Sequence, residues 1–531
     1  MKSRFPIPLV AAWLILAPGA LQAHDEAPGK GKFGKVSFPT SCDPKVQPEL
    51  ERAVAMLHSF WFVAGEKAFR DVLAQDPGCA IADWGIAAIL MNNPLAGQGA
   101  SAKGAEQAQA AIAEGRRIGA KTQRERDYIE AVAAYYDDWA NRPERERQVS
   151  RAKAFEALAA RYPADDEAQI FLALYTAGTQ TQADQTYSAY LKAAGILEGM
   201  FAKYPDHPGV AHYLIHSYDA PPIAQKGLVA ARRYATLAPD APHALHMPSH
   251  IFTRVGAWEE SAATNARSAT VARAGGDGDE AYHAIDYMVY AYLQLGRDAE
   301  ARASIDAATK VTGVTPRFIA PYAIAAMPAR YAVERGDWKA AAQLQPVASP
   351  YPYVPAMTHF ARALGAVRTG DTEAAKQDAA QLATLHAALL AAKNNYWANE
   401  VEVQRLAVAG WIALAEGQHD EALKLMRAAA DLEDRSEKHI VTPGRVLPAR
   451  ELLGEMLLKM QQPDAALKEL EASQQREPNR FRTYYLAAVA ADAAGDTVKA
   501  RQNYGRLVVL AKSADSDRPE LARAKAYLGP R

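Results

Sequence analysis

Imidazole is concentrated in one part of this 531-residue chain. Seven of its thirteen histidines lie between residues 207 and 283: His207, His212, His216, His243, His246, His250 and His283. The stretches that carry them read DHPGVAHYLIHSYDAPP, APHALHMPSHIF and YHAIDYMVYAYLQLG. His212, His216 and Asp219 stand at i, i+4 and i+7, which puts all three on one face of a helix. Two imidazoles four residues apart are a usual way for a helix to present ligands to one ion, and Asp219 adds an anionic third. A donor set of this kind suits Fe, Cu or Zn.

A longer-range regularity adds to this. His246 lies 34 residues after His212, and His250 lies 34 after His216. A shift of 40, the spacing from Gly256 to Gly296, carries His243 to His283, His246 to Asp286 and His250 to Tyr290. If these offsets are repeat lengths, equivalent helices of three neighbouring units present a wall of imidazoles and carboxylates to one concave groove. The expected metal ligands are His212, His216, Asp219, His246, His250, His283 and Asp286. A lone histidine on such a face is more often solvated or hydrogen-bonded, and His207 (before Pro208) and His24 are read that way. Pro248 is expected to interrupt any helix across His243–His250, leaving His250 on the following helix and His246 just ahead of it. His58, His359 and His439 sit near the ends of other hairpins and are weak signals singly.

The elements that would hold these residues repeat along the chain. A small turn residue followed five positions later by Ala occurs at Gly296/Ala301, Gly336/Ala341, Gly370/Ala375, Gly417/Ala422 and Gly495/Ala500, with looser versions at Gly256/Ser261 and Gln461/Ala466. Gly ends one helix by taking the left-handed position, and the small residue lets the next helix cross closely. Such hairpins bury their apolar faces only against neighbours, which is the logic of a solenoid. No alternating strand pattern is present. The expectation is an all-α, tetratricopeptide-like α-solenoid, a right-handed superhelix of helical hairpins. It divides into an N-terminal array over 46–315 carrying the histidine groove, a joint over 316–355 with seven prolines, and a C-terminal array over 356–531.

Sixty basic against 61 acidic residues argue against nucleic acid and against an anionic membrane surface. Lys2 and Arg4, the apolar run from Leu9 to Leu16 and the small residues up to Ala23 read as a signal peptide over 1–23, and hence as a periplasmic or secreted protein. No later stretch is long and apolar enough for a membrane helix. Residues 24–45 read as an exposed lead-in. Cys42 and Cys79 either pair in an oxidising compartment or remain two buried thiols. Phosphate loops, nucleophile elbows, C-x2-C pairs and H-E-x-x-H are all lacking.

The segments 57–87, 212–252, 283–297, 437–457 and 471–481 together resemble a group of exported bacterial tetratricopeptide proteins of about this length. The resemblance implies the superhelix and carries no catalytic residues with it. Two functions remain open on the sequence. One is a binding or scaffold protein whose histidine-rich groove takes a protein, a peptide or a small polar ligand. The other is a metal-dependent enzyme built on the His/Asp cluster.

Overall fold

The computed structural model describes residues 31–315 and 318–529; the expected leader and His24 lie outside them. Every regular element among the described residues is helical, running from Gln47–His58 to Pro519–Leu528. Successive helices pack as antiparallel hairpins, so the chain is the tetratricopeptide-like solenoid its sequence implies.

The hairpin signature works as its chemistry requires. The six glycines of the series have positive φ, from 65° at Gly336 to 90° at Gly370, and Gln461 adopts φ 56° in the looser unit. Ser261, Ala301, Ala341, Ala375, Ala422, Ala466 and Ala500 are all fully buried, where helices meet. An aspartate after several of these glycines then starts the next helix. Asp337, Asp371 and Asp496 each accept a hydrogen bond from the backbone N–H three residues on, at 3.0, 2.9 and 2.9 Å.

Two expectations need refinement. Much of the described lead-in is exposed, but two of its side chains anchor it to the helices. Phe38 is fully buried and stacks on Trp84, with ring centroids 5.2 Å apart, and Phe33 packs on Trp61. Two phenylalanines outweigh a polar, glycine-rich context once a groove between helices is at hand. In the proline-rich segment, helix Ile319–Glu334 runs through Pro328. Burial of Ala325, Ala326, Met327, Ala329 and Val333 on the same helix offsets the proline's cost of ~3 kcal/mol. The longest irregular stretch described in this segment is residues 343–352, before helix Tyr353–Arg368.

Cys42 and Cys79 form a disulfide that ties the lead-in to the start of helix Ile81–Leu90. The C-terminal hairpins dock back on the middle of the chain. Trp258 donates to the Asn479 carbonyl (2.6 Å), Arg518 pairs with Asp298 (2.5 Å), and buried Arg480 pairs with Glu334 (2.6 Å) and Glu451 (3.1 Å). Residues 435–448, between helices His419–Glu433 and Ala449–Lys459, form an irregular strap that is almost wholly buried in the concavity. Its backbone is bonded to Gln182, Tyr396, Tyr287 and Arg330.

Candidate metal centre

Three helical stretches carry the histidines. Helix Pro208–Ser217 holds His212 and His216 one turn apart, and helix Gly278–Gln294 holds His283. Between them, helices Pro242–His246 and Pro248–Val255 meet at Met247, which is itself helical (φ −50°, ψ −40°). Pro248 opens the second helix, where its missing N–H costs little, so the chain stays helical across the expected break. His243, His246 and His250 then stand at i, i+3 and i+7 on one face.

Six rings gather there. The donor nitrogens of His212, His216 and His243 lie within 4.8 Å of one another, as do those of His246, His250 and His283. The two sets adjoin, with ring centroids 5.5 Å apart for His216 and His250 and 6.1 Å for His243 and His246. His243, left out of the expected ligand set, belongs to the first; its i, i+3, i+7 relation to His246 and His250 was the signal.

The rings are buried, with exposures of 7% or less, so the wall is not an open recognition surface. Phe60, in the left-handed turn after helix Gln47–His58, packs on His212 (4.4 Å) and His243 (5.5 Å). Tyr234 stacks on His212, and Tyr287 packs against His246, His250 and His283.

Outer hydrogen bonds fix which nitrogen each ring offers. His212 Nδ1 donates to the His58 carbonyl (2.6 Å) and His246 Nδ1 to Asn265 Oδ1 (2.7 Å). The Asn265 amide nitrogen donates to the Ser261 carbonyl, which settles the orientation of that side chain. His250 Nδ1 donates to Asp219 Oδ2 (2.9 Å), and His243 Nδ1 faces Glu280 Oε2 (3.3 Å). Each such contact leaves Nε2 with a lone pair, the arrangement found around metal-bound histidines. Nε2 of His212, His243 and His283 has no hydrogen-bond partner, nor has either nitrogen of His216. Nε2 of His246 and Nε2 of His250 face each other at 3.0 Å.

Burial, reinforced by the neighbouring imidazoles, holds His212, His216 and His246 well below the ordinary histidine range. Burial also pushes His250 down against the pull of Asp219, and His283 down to about 3. These rings are neutral at neutral pH, the form in which an imidazole can bind a metal.

Of the expected carboxylate ligands, neither joins the donor sets. Asp219 stands behind His250, held by Arg254 (2.7 Å) and 3.7 Å from Lys438. Burial alone would raise its carboxyl, but Lys438, Arg254 and His250 outweigh burial and keep it ionised. Asp286 turns away to the buried Arg330 (2.5 Å), an ion pair that also anchors the strap through the Gly444 carbonyl. On that helix His283 takes the place beside His246, with ring centroids 4.0 Å apart, while the Asp286 carboxylate is engaged by Arg330.

His58 and His207, with Glu167, make a contrasting group. His58 bonds Glu167 (2.9 Å) and Tyr213 (2.8 Å), while His207 bonds Glu167 (2.8 Å) and caps helix Pro208–Ser217 through Val210 N. All four ring nitrogens are used, so this cluster is structural, and the bystander reading of His207 agrees with it. His359 pairs with Asp378 in the C-terminal half, and His439 lies among Trp397, Tyr396 and Phe318.

No family model matches the chain, and none of the curated proteins matches it in sequence. Among solved structures it is similar to a human IFIT1 dimer with PPP-AAAA, at 12% identity and a TM-score of 0.37 over 77% of this chain and 87% of that one. It is also similar to a chain of the APC/C hetero-tetramer Cut9–Hcn1, at 12% identity and a TM-score of 0.28 over 90% and 96%. Both are likenesses of helical architecture, and they carry no argument about what this chain binds.

Proposed function

We propose that this chain is an exported metalloprotein, a solenoid that encloses a transition-metal centre liganded by His212, His216, His243, His246, His250 and His283. The observation that carries the reading is the 3.0 Å approach of His246 Nε2 to His250 Nε2 while Asn265 and Asp219 occupy both Nδ1 protons. Two lone pairs face each other in the buried interior, an arrangement that a cation between them relieves. Metal–imidazole bonds of ~2.0–2.1 Å at right or tetrahedral angles set two donor nitrogens ~2.8–3.4 Å apart, which fits this contact.

Fe, Cu and Zn are the ions such nitrogens suit. Three imidazoles on an ion leave a position for a small ligand, which supports metal-dependent catalysis as the use of the centre. The helical-repeat fold also offers a protein-binding scaffold, and a protein or peptide partner would use its outer surface. The Cys42–Cys79 disulfide and the leader-like N-terminus support a periplasmic or secreted location.

Metal analysis tests the proposal. Purified protein, as isolated or after incubation with Fe(II), Cu or Zn(II), is expected to hold metal in stoichiometric amount, and His216→Ala and His250→Ala are each expected to lower it. Wild-type protein that neither carries nor takes up any of the three ions would sink the reading.

A further inference from the structure

The six histidines fall into two sets, and we infer that each set holds its own ion, making the centre dinuclear and suited to a pair of copper(I) ions. This rests on the metal-binding reading above and adds the number of ions and their class.

One ion cannot use all six rings. Donors on a common ion lie at most ~4 Å apart, twice the ~2.0–2.1 Å bond. Within each set of three the nitrogens lie within 4.8 Å of one another, so that a small inward shift of the rings brings them onto one ion, and no larger group comes as close among the described residues. The rings run in order, His212 at one end meeting His216 and His243, then His250 and His246, then His283 at the other. Each set also has its own orienting acceptors. The His58 carbonyl and Glu280 serve the first, and Asn265 and Asp219 serve the second. A single site would need only one such shell.

The class of ion follows from charge and coordination. The donors of both sets are neutral nitrogens, with Asp219 and Glu280 standing behind the rings rather than among the donors. Repulsion between neighbouring ions scales with the product of their charges, so two +1 ions repel one another a quarter as strongly as two +2 ions. The cost of burying each ion among Phe60, Tyr234 and Tyr287 falls in the same direction. Zn(II) on three imidazoles needs a further small ligand to complete four, whereas copper(I) is satisfied by three nitrogens, the number each set provides.

The full chain, titrated without oxygen with copper(I) against a chromophoric copper(I) chelator, is expected to take two equivalents. His212→Ala and His283→Ala, at opposite ends of the row, are each expected to keep one. A single equivalent in the wild type, or two that are lost together in either variant, overturns the dinuclear assignment and leaves metal binding standing. Absence of uptake of copper, zinc or iron overturns both readings. Selective uptake of Zn(II) from an equimolar mixture with copper(I) overturns the copper assignment alone. If either variant misfolds by circular dichroism, X-ray absorption on the loaded wild type decides. Three nitrogen neighbours per copper are expected, and four or more, or oxygen neighbours, would overturn the inference.

Discussion

At the scale of single residues, the centre is defined by what stands behind the rings as much as by the rings. Asp219 holds the proton on His250 Nδ1 and is itself fixed by Arg254 and Lys438. Asp219→Asn keeps the shape but removes the charge that makes the imidazole a better donor. It is expected to weaken metal affinity ~10–100-fold, measured by chelator competition at constant pH. An unchanged affinity would mean that His250 is not a ligand. Sequence spacing found five of the six rings, because H-x3-H and the 34-residue offset both report a helix face. It misassigned Asp286 because an offset reports which face a residue stands on and not which partner claims it, and Arg330, 44 residues further on, takes that carboxylate. Phe60 and the His58 carbonyl were beyond sequence reasoning: they reach His212 across more than 150 residues of chain.

Among the elements, the hairpin signature was legible because each Gly-x4-Ala unit is a local device whose parts lie within one turn of each other. Its aspartate caps belong to the same device. Asp371→Ala removes the acceptor for Ala374 N and is expected to cost ~1 kcal/mol, read as a lower urea midpoint at unchanged slope. The disulfide and the lead-in are the opposite case, since pairing of Cys42 with Cys79 depends on where Phe33 and Phe38 settle. Closing a loop with a sequence separation of 37 is worth about 4 kcal/mol by chain entropy, so reduction by dithiothreitol is expected to lower the melting temperature measurably. No change on reduction would mean that the thiols are not joined in the folded protein. The strap over 435–448 had no signal of burial, because polar Glu437 and Lys438 meet Arg254 and Asp219 from a distant part of the chain.

Over the whole molecule, the packed interior sets the response to acid. Burial pushes His439 down to about 3, with Lys438 beside it adding to the effect, and holds His283 at about the same value. In the unfolded chain both titrate near 6.5. Below that pH the unfolded state binds protons that the folded state refuses. Stability is therefore full above pH 6.5 and is lost as pH falls toward 3, by up to ~1.4 kcal/mol per pH unit for each group. Urea unfolding of the metal-free chain is expected to show declining stability from pH 7 to 5, with a shallower decline in His439→Phe. A flat profile would contradict the burial of these rings.

If the proposed centre holds metal, the strap would also determine how quickly it exchanges its contents. Pinned to Tyr287, Arg330 and Tyr396, it lies over the side of the second histidine set where Asp219 and Tyr287 stand, and the turn at Phe60 covers the first. Escape of a bound ion must wait for one of these covers to lift, so the slow step is a motion of the polypeptide and not the breaking of coordinate bonds. Loss of metal to a chelator is then expected to be first order, with a rate that levels off as the chelator excess grows and that is similar for different ions. The fold would act as a timer, fixing the residence time of the ion independently of how tightly the imidazoles hold it.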